Sequence, residues 1–188
     1  MRIIAGKMKG RKLLTPINDD VRPTADMVKE AICSMIDGYL EGAVIVDLFA
    51  GSGNIGLEAL SRGAKVCYFG DYSAESIKLI KSNIEICKAE DQSRVIAGNY
   101  EKVITKIPEK VDIIFLDPPY ESGYIVPSLK RIHDFDLLKE NGVIVCEHGA
   151  SEALPDTVSA FCKIKEKRYG IVFITFFEKM SINSENTL

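Results

Sequence analysis

The chain has 188 residues, a formal net charge of −3, and 46% hydrophobic and 27% charged residues, a composition that fits one globular domain with at most a small appendage. No apolar run approaches the ~18 residues of a membrane-spanning helix, and the basic N-terminus lacks the apolar part of a signal peptide. The five cysteines are scattered without a Cys-x-x-Cys pair, so we expect reduced thiols, a cytoplasmic protein and no metal site.

The N-terminal segment is basic and predicts a hairpin followed by a helix. Residues 1–15 predict a β-hairpin with a turn near Lys9-Gly10, and apolar residues at helical spacing predict a helix over 25–37 with Thr24 as its N-cap. The first 18 residues contain no acidic side chain and five basic ones, Arg2, Lys7, Lys9, Arg11 and Lys12. Such a stripe indicates a face that meets a polyanion, although a solvated hairpin accounts for it equally well.

From residue 43 onward, strand and helix patterns alternate. Strands are predicted over 44–49, 65–70, 94–97, 111–116 and 142–147, with helices over 55–62, 74–88, 100–107 and within 124–133. This alternation predicts βαβ units and a parallel sheet. Two last strand patterns, 162–168 and 171–178, are too close together for a crossover helix and should pair antiparallel. The predicted fold class is α/β, a mostly parallel, doubly wound seven-stranded sheet with an antiparallel C-terminal hairpin.

A glycine loop follows the first strand. Gly51, Gly53 and Gly56 satisfy G-x-G-x-x-G between a strand and a helix, and Asp71 follows 20 residues after Gly51. The glycines let the backbone approach a ligand, and the carboxylate can accept both hydroxyls of a ribose. These features fit a nicotinamide dinucleotide or S-adenosylmethionine.

Three further features favour S-adenosylmethionine. Asp47, just before the glycine loop, would repel a pyrophosphate but attract a sulfonium or an ammonium. Asn99, after the third strand, can read the edge of adenine. Taken alone, each of these two residues fits a cap or a turn equally well. The third feature is the tetrapeptide that follows the fourth strand, for which a dehydrogenase has no evident use.

That tetrapeptide is Asp117-Pro118-Pro119-Tyr120. Consecutive prolines cannot donate to a sheet ladder, so the strand ends there, at the edge where open α/β sheets bind ligands. A carboxylate, free carbonyls and an aromatic ring suit a planar base with an exocyclic amine. Read alone, the tetrapeptide also fits an ordinary strand-ending turn.

Several segments together carry a resemblance to a known family. They are residues 1–6, 10–13, Arg22-Pro23-Thr24 with Asp26, 30–31, 47–53, 56–64, 117–120 and Glu147-His148. On these segments the chain resembles the RsmD-type bacterial 16S rRNA (guanine-N2)-methyltransferases over nearly its whole length. Departures at Asn54-Ile55, around Asp71 and at Asn99 leave every required chemical group in place.

The resemblance implies a Rossmann-like class I methyltransferase that transfers a methyl group from S-adenosylmethionine to the exocyclic N2 of a guanine in 16S rRNA of the small ribosomal subunit. With the glycine loop, it implies cofactor contacts from Asp47, Phe49, Ala50, Gly51, Ser52, Gly53, Gly56, Asp71, Tyr72, Asn99 and Tyr100. It implies a catalytic set of Asp117, Pro118, Pro119 and Tyr120. It implies RNA contacts from Arg2, Lys7, Lys9, Arg11, Lys12, Arg22 and Thr24.

In this interpretation, residues 1–40 are an RNA-contacting appendage, 41–179 the methyltransferase domain, and 180–188 a frayed tail. Asp117 and the Pro118 carbonyl hold the two amine hydrogens while Tyr120 stacks on the base. Glu58 and Arg62 are expected to form a structural ion pair on one helix, and His148 to lie at a strand end. We expect a monomer, because a ribosomal subunit needs an unobstructed basic face.

Three alternatives stay open. A DNA adenine-N6 methyltransferase uses the same tetrapeptide but usually needs a target-recognition domain, for which 188 residues leave little room. A non-catalytic S-adenosylmethionine-binding ribosome-assembly factor would not need the intact tetrapeptide. A nicotinamide-dependent oxidoreductase is favoured by the glycine fingerprint alone.

Overall fold

The computed structural model describes residues 1–16 and 23–180, and in them the strands and helices alternate as predicted. The strands are β1 Val44–Asp47, β2 Val66–Asp71, β3 Ser93–Ala97, β4 Val111–Leu116, β5 Leu138–Gly149, β6 Thr157–Val158, β7 Phe161–Tyr169 and β8 Val172–Lys179. The helices are α1 Pro23–Met35, α2 Asp37–Leu40, α3 Asn54–Ser61, α4 Ala74–Cys87, α5 Tyr100–Thr105 and α6 Ile125–Asp134, with a 3-10 turn at Glu90–Gln92. None of the described helices is both long and apolar enough to cross a membrane.

All of these strands join one sheet in the order β3-β2-β1-β4-β5-β8-β7-β6. The first five strands pair parallel, and β5, β8, β7 and β6 pair antiparallel in turn. The predicted α/β fold with its antiparallel C-terminal hairpin is confirmed. The two-residue strand β6 adds an eighth member at one edge, too short to leave a strand pattern in the sequence.

Alternate residues of the central strands face opposite layers of core, since side chains alternate along a strand. Ile45 and Ile113 pack beneath α1, α3 and α4, whereas Val46 and Ile114 pack beneath α5 and α6. Burial on both faces explains the near-continuous Val and Ile runs that predicted these strands.

The N-terminal segment folds back on itself but forms only a minimal hairpin. Arg2 and Lys12 make an isolated antiparallel bridge, and the N–H of Ile3 donates to the carbonyl of Arg11 at 3.0 Å. Two extended strands do not form, because the segment buries Ile3, Met8 and Leu13 in the core beside α3 and α4 rather than pairing along its length.

Polar side chains of the helices hold this hairpin in place. Glu58 accepts hydrogen bonds from the N–H groups of Ile4 at 2.8 Å and Ala5 at 3.0 Å, and the Ser61 hydroxyl accepts one from Met8 N–H at 2.9 Å. At Gly6, where φ is +78°, a Cβ would lie 1.8 Å from the Ser61 carbonyl oxygen, so only glycine fits this approach. The hairpin is therefore docked on α3 through specific buried contacts.

Helix α1 begins at Pro23, two residues before the predicted start, because proline suits the first position of a helix. Thr24 consequently lies in the first turn, and its prediction as the N-cap is wrong. Arg22 and residues 181–188 of the predicted tail lie outside the described residues. The expected pair of Glu58 and Arg62 is present, with 2.9 Å between Oε1 and Nε.

Candidate active site

A cavity of about 1240 Å³ opens at the carboxyl edge of the parallel strands. Its wall is built largely from the ends of β1, β2 and β5 and from the loops that follow β1, β2, β3 and β4. In open α/β sheets this edge is the usual place for a ligand. Pockets for single small ligands span about 300–1000 Å³, so the cavity is larger than one such ligand requires.

The glycine loop combines two different roles. Gly51, with φ +54°, lines the cavity, whereas Gly53 and Gly56 are not among the lining residues. Gly53 caps α3 with φ +76°, and a Cβ at Gly56 would lie 2.4 Å from a ring carbon of Phe69. These two predicted cofactor contacts thus set the turn and bring α3 close to the sheet.

Asp71 is positioned by backbone donors on both of its carboxylate oxygens. Oδ2 accepts the N–H of Gly51 at 2.9 Å, and Oδ1 accepts the N–H of Ser73 at 2.8 Å. Each oxygen retains a further lone pair. The carboxylate lines the cavity, so its geometry suits a diol such as a ribose.

Asp47 is an almost fully buried carboxylate at the back of the cavity, 2% exposed. It accepts one hydrogen bond, from the N–H of Gly56 at 3.1 Å. Burial raises the pKa of Asp47 to about 7; the Gly56 hydrogen bond opposes this shift, and the charge of Asp71 adds to it. A cationic ligand group in the cavity would stabilise the ionised form.

Aromatic rings form one side of the cavity. Phe49 and Tyr124 stack with an interplanar angle of 8° and centroids 6.2 Å apart, and Tyr100 lies tilted against both. Tyr72 is an exposed lining residue. Tyr124 was missed by the sequence analysis, although an aromatic residue close behind the tetrapeptide was a usable signal.

Asn99 caps α5, and its Oδ1 accepts the N–H of Lys102 at 3.0 Å. The structure therefore shows Asn99 as a helix cap, and its contact with adenine stays a prediction. Of the other predicted cofactor contacts, Ala50 and Ser52 also line the cavity.

The tetrapeptide lines the same cavity with all four of its residues. The Pro119 carbonyl accepts the N–H of Ser122 at 3.2 Å. Among the described residues, no hydrogen bond uses the Asp117 carboxylate or the Pro118 carbonyl. Both acceptors belong to residues that line the cavity and are available to a ligand.

The Asp117 carboxyl is open to the cavity, yet it lies deep in the molecule at the end of β4. Burial raises its pKa well above the ordinary range, and the charges of Glu147 and Asp47 add to this shift. Water in the open cavity weakens both effects, and ligands that displace it would strengthen them. The raised pKa makes Asp117 a better proton acceptor than an ordinary aspartate once it is ionised.

Lys29 is a wall residue that the sequence analysis missed. Its buried Nζ donates to the Arg2 carbonyl at 2.6 Å and to Asn54 Oδ1 at 2.8 Å, and lies 3.3 Å from Glu58 Oε2. The pattern of the 25–37 helix gave no signal for it, because these partners come from other elements.

The predicted RNA-contacting residues separate into two groups. Lys7 is exposed and binds the side chain of Gln92 in the 3-10 turn after α4, while Arg11 donates to the Ile86 carbonyl of α4 at 2.9 Å. Arg2, Lys9 and Lys12 are exposed. Arg22 lies outside the described residues. His148, expected at a strand end, is buried in β5 with Nε2 2.8 Å from Thr175 Oγ1.

The sequence and the fold both match known proteins. The family described as Conserved hypothetical protein 95 matches residues 1–178. Ribosomal RNA small subunit methyltransferase D of Escherichia coli (strain K12) is 32% identical over 180 residues, which cover 95% of this chain and 90% of that protein. A Bacillus subtilis (strain 168) protein, provisionally described as the rRNA methyltransferase YlbH, is 36% identical over 182 residues, 95% of this chain and 99% of that protein.

A solved structure from Escherichia coli, provisionally described as the methyltransferase yhhF, has a TM-score of 0.85 at 30% identity and covers 95% of this chain and 97% of that chain. The relatives and the fold together therefore define a methyltransferase built on a doubly wound α/β sheet. The family described as Conserved hypothetical protein 95 is the RsmD family. The chain therefore belongs to the RsmD family, and the match spans residues 1–178.

Proposed function

We propose that this protein is an S-adenosylmethionine-dependent methyltransferase that methylates the exocyclic N2 of a guanine in 16S rRNA of the small ribosomal subunit. The observation that carries the proposal is the opening of Asp117-Pro118-Pro119-Tyr120 onto the same cavity as Asp47 and Asp71. The name of the Escherichia coli relative, a ribosomal RNA small subunit methyltransferase, supports the substrate.

The donor half of the cavity fits an adenosyl group with a positive charge. S-adenosylmethionine, when bound, supplies a methyl group that its sulfonium activates toward a nucleophile. Asp71 would accept the ribose hydroxyls, and Asp47 would face the cationic part of the cofactor, which favours the ionised carboxylate. Phe49 and Tyr100 would contact the adenine ring.

The acceptor half fits an amine on a planar base. The lone pair of an exocyclic amine is delocalised into the ring, so its nucleophilicity depends on how the nitrogen is held. Asp117 and the Pro118 carbonyl would accept the two amine hydrogens and stabilise the positive charge that develops on nitrogen. Asp117 would then take one proton from the methylated amine and release it to solvent, while Tyr120 stacks on the base. A paired guanine would have to turn out of its helix to reach this site.

The N-terminal residues 1–40 are proposed as the RNA-contacting part and residues 41–179 as the methyltransferase domain. Exposed Arg2, Lys9 and Lys12 would bind phosphates beside the cavity. A protein of this kind would act in the cytoplasm as a monomer, since a large RNA-protein particle needs open access to the basic face.

The test is nucleoside mass spectrometry of small ribosomal subunits that lack the modification, after incubation with the purified protein and S-adenosylmethionine. Unmethylated DNA is treated in parallel. N2-methylguanosine in the RNA is the expected product. N6-methyladenine in the DNA instead, or no product in either, would overturn the proposal.

A further inference from the structure

Glu147 lies beside Asp117 because of the register of the sheet. Strands β4 and β5 run parallel, and Leu116 pairs with Cys146. The residue that follows each of these two is an acid, so Asp117, just after β4, and Glu147, in β5, occupy neighbouring positions at the carboxyl edge, and both line the cavity. The sequence separates them by 30 positions, and only the pairing brings them together.

The surroundings of Glu147 leave this second carboxylate available to a ligand. The Tyr120 hydroxyl donates to Glu147 Oε1 at 3.3 Å, and the side chain is half-buried. The ion pairs within residues 1–16 and 23–180 include neither Glu147 nor Asp117 nor Asp47. These carboxylates share one wall, and the nearby Lys29 is paired with Glu58 instead, so they repel one another and a ligand with several hydrogen-bond donors would relieve that repulsion.

Guanine and adenine present different edges to such a wall. Guanine carries an N1–H next to its N2 amine, which gives three adjacent donor hydrogens. Adenine carries a lone pair on N1 next to its N6 amine. An ionised carboxylate only accepts hydrogen bonds, so a second carboxylate beside the amine attracts guanine and repels the N1 of adenine. A base turned out of its helix is read on this edge.

We propose that Glu147 accepts the N1–H of the target guanine beside the amine held by Asp117, and that it thereby excludes adenine. The inference rests on the proposed function and adds to it a specificity-determining residue. Tyr120 assists by donating its hydroxyl hydrogen to Glu147, which fixes the direction of the carboxylate.

The test replaces the target guanine with 2-aminopurine in RNA that is assembled into small subunits, once the methylated position has been mapped. 2-Aminopurine keeps the amine on C2 but has a lone pair on N1. Wild-type protein is expected to methylate guanine far faster than 2-aminopurine. Glu147→Gln should lower kcat/KM for guanine by about 10- to 100-fold, the effect of one charge-assisted hydrogen bond. The same variant should raise kcat/KM for 2-aminopurine, because the glutamine amide can donate to N1.

Two variants separate base reading from a structural role. Glu121→Gln removes an exposed carboxylate next to Tyr120 that does not line the cavity, and should keep the wild-type preference for guanine. Glu147→Asp keeps the negative charge on a shorter side chain. It should methylate guanine more slowly than the wild type does and should still exclude 2-aminopurine. Both Glu147 variants should bind S-adenosylhomocysteine as the wild type does.

If the ratio of kcat/KM for guanine to kcat/KM for 2-aminopurine is the same in Glu147→Gln as in the wild type, the inference is overturned while the proposed function stands. If the wild-type protein forms no N2-methylguanosine in unmodified subunits, the proposed function fails and the inference fails with it. The two failures are distinguishable, because the first leaves a working guanine methyltransferase.

Discussion

Asp47 is held in a buried place where its charge destabilises the protein without a ligand. For Asp47, burial raises the pKa from the ordinary 3.8 to about 7. Between these two values the folded protein binds more protons than the unfolded chain, so stability falls as pH rises through this window. The loss is complete above about pH 7, where the buried carboxylate is ionised.

The Asp47→Asn variant removes this charge while an amide oxygen can still accept the Gly56 N–H. Its melting temperature should exceed that of the wild type at pH 8 and approach it near pH 4, and its affinity for S-adenosylmethionine should fall about 10- to 100-fold. Differential scanning calorimetry across this range measures the first effect and titration calorimetry the second. Asp91→Asn, at an exposed site, should follow the wild-type curve. If the melting temperature of Asp47→Asn depends on pH as that of the wild type does, burial of the Asp47 charge is not what lowers the stability.

Asp117→Ala removes the side chain that is proposed to hold the acceptor amine and take its proton. Single-turnover methylation should slow by about 10²–10⁴-fold, while binding of S-adenosylhomocysteine stays within a few-fold of wild type. The measurements are quenched-flow product analysis and titration calorimetry. Asp134→Ala, on the exposed face of α6, is the matched control. Near-normal turnover in Asp117→Ala would refute the proposed role.

At the scale of elements, the sequence predicted those strands whose signal is local. β4 was predicted at its observed bounds, because its apolar run is closed by two prolines. β5 was predicted over 142–147 but spans Leu138–Gly149. Its polar start, Lys139 to Asn141, has no strand pattern and is ordered by long-range contacts, such as the pair of Lys139 with Asp112 at 2.8 Å.

The residues of the cavity divide in the same way. Some are predicted by a local sequence pattern, and others are placed by contacts between distant parts of the chain. Asp71 and Asp117 each follow a predicted strand, and Asp47 comes just before the predicted glycine loop, so local patterns and the rule that ligands bind at carboxyl edges were enough to find them. Glu147 and Lys29 depend on strand register and helix packing, which no local pattern contains.

Glu58 on α3 is the central anchor of the hairpin. It is fully buried and holds two backbone N–H groups together with Lys29 and Arg62. Glu58→Ala removes the shared acceptor of these four groups and leaves the positive charges of Lys29 and Arg62 without their carboxylate, so it should lower the free energy of unfolding by about 3–5 kcal/mol. Urea unfolding measures it, with the exposed Glu85→Ala on α4 as control. A loss below about 1 kcal/mol would mean that the hairpin is held mainly by its apolar contacts.

At the scale of the whole molecule, charge is sorted between two neighbouring surfaces. The cavity wall contains Asp47, Asp71, Asp117 and Glu147, whereas the hairpin beside it is basic and the whole chain has a net charge of only −3. An RNA strand would be held by its phosphates at the hairpin, and those phosphates would be repelled from the cavity. A base, whose edge carries hydrogen-bond donors, would not be repelled and would enter the cavity.

Charge removal on the hairpin tests this arrangement. The double variant Lys9→Gln, Lys12→Gln should weaken RNA binding and reduce the slope of log K against log salt by about 1 for each phosphate that is no longer neutralised. Filter binding over a salt series measures both. Lys106→Gln with Lys130→Gln, exposed residues near the helices α5 and α6, is the matched control. Equal slopes for the hairpin variant and the wild type would assign the hairpin another role.

Helix α3 starts within the glycine motif, directly after Gly53, and carries Glu58 and Ser61, which hold the hairpin. One helix of eight residues therefore joins the surface proposed for RNA to the loop proposed for the methyl donor. If RNA binding restrains this helix, the donor binds more tightly, and thermodynamic reciprocity then requires the donor to raise RNA affinity by the same factor. The two substrates would assemble cooperatively, and release of either one would loosen the hold on the other.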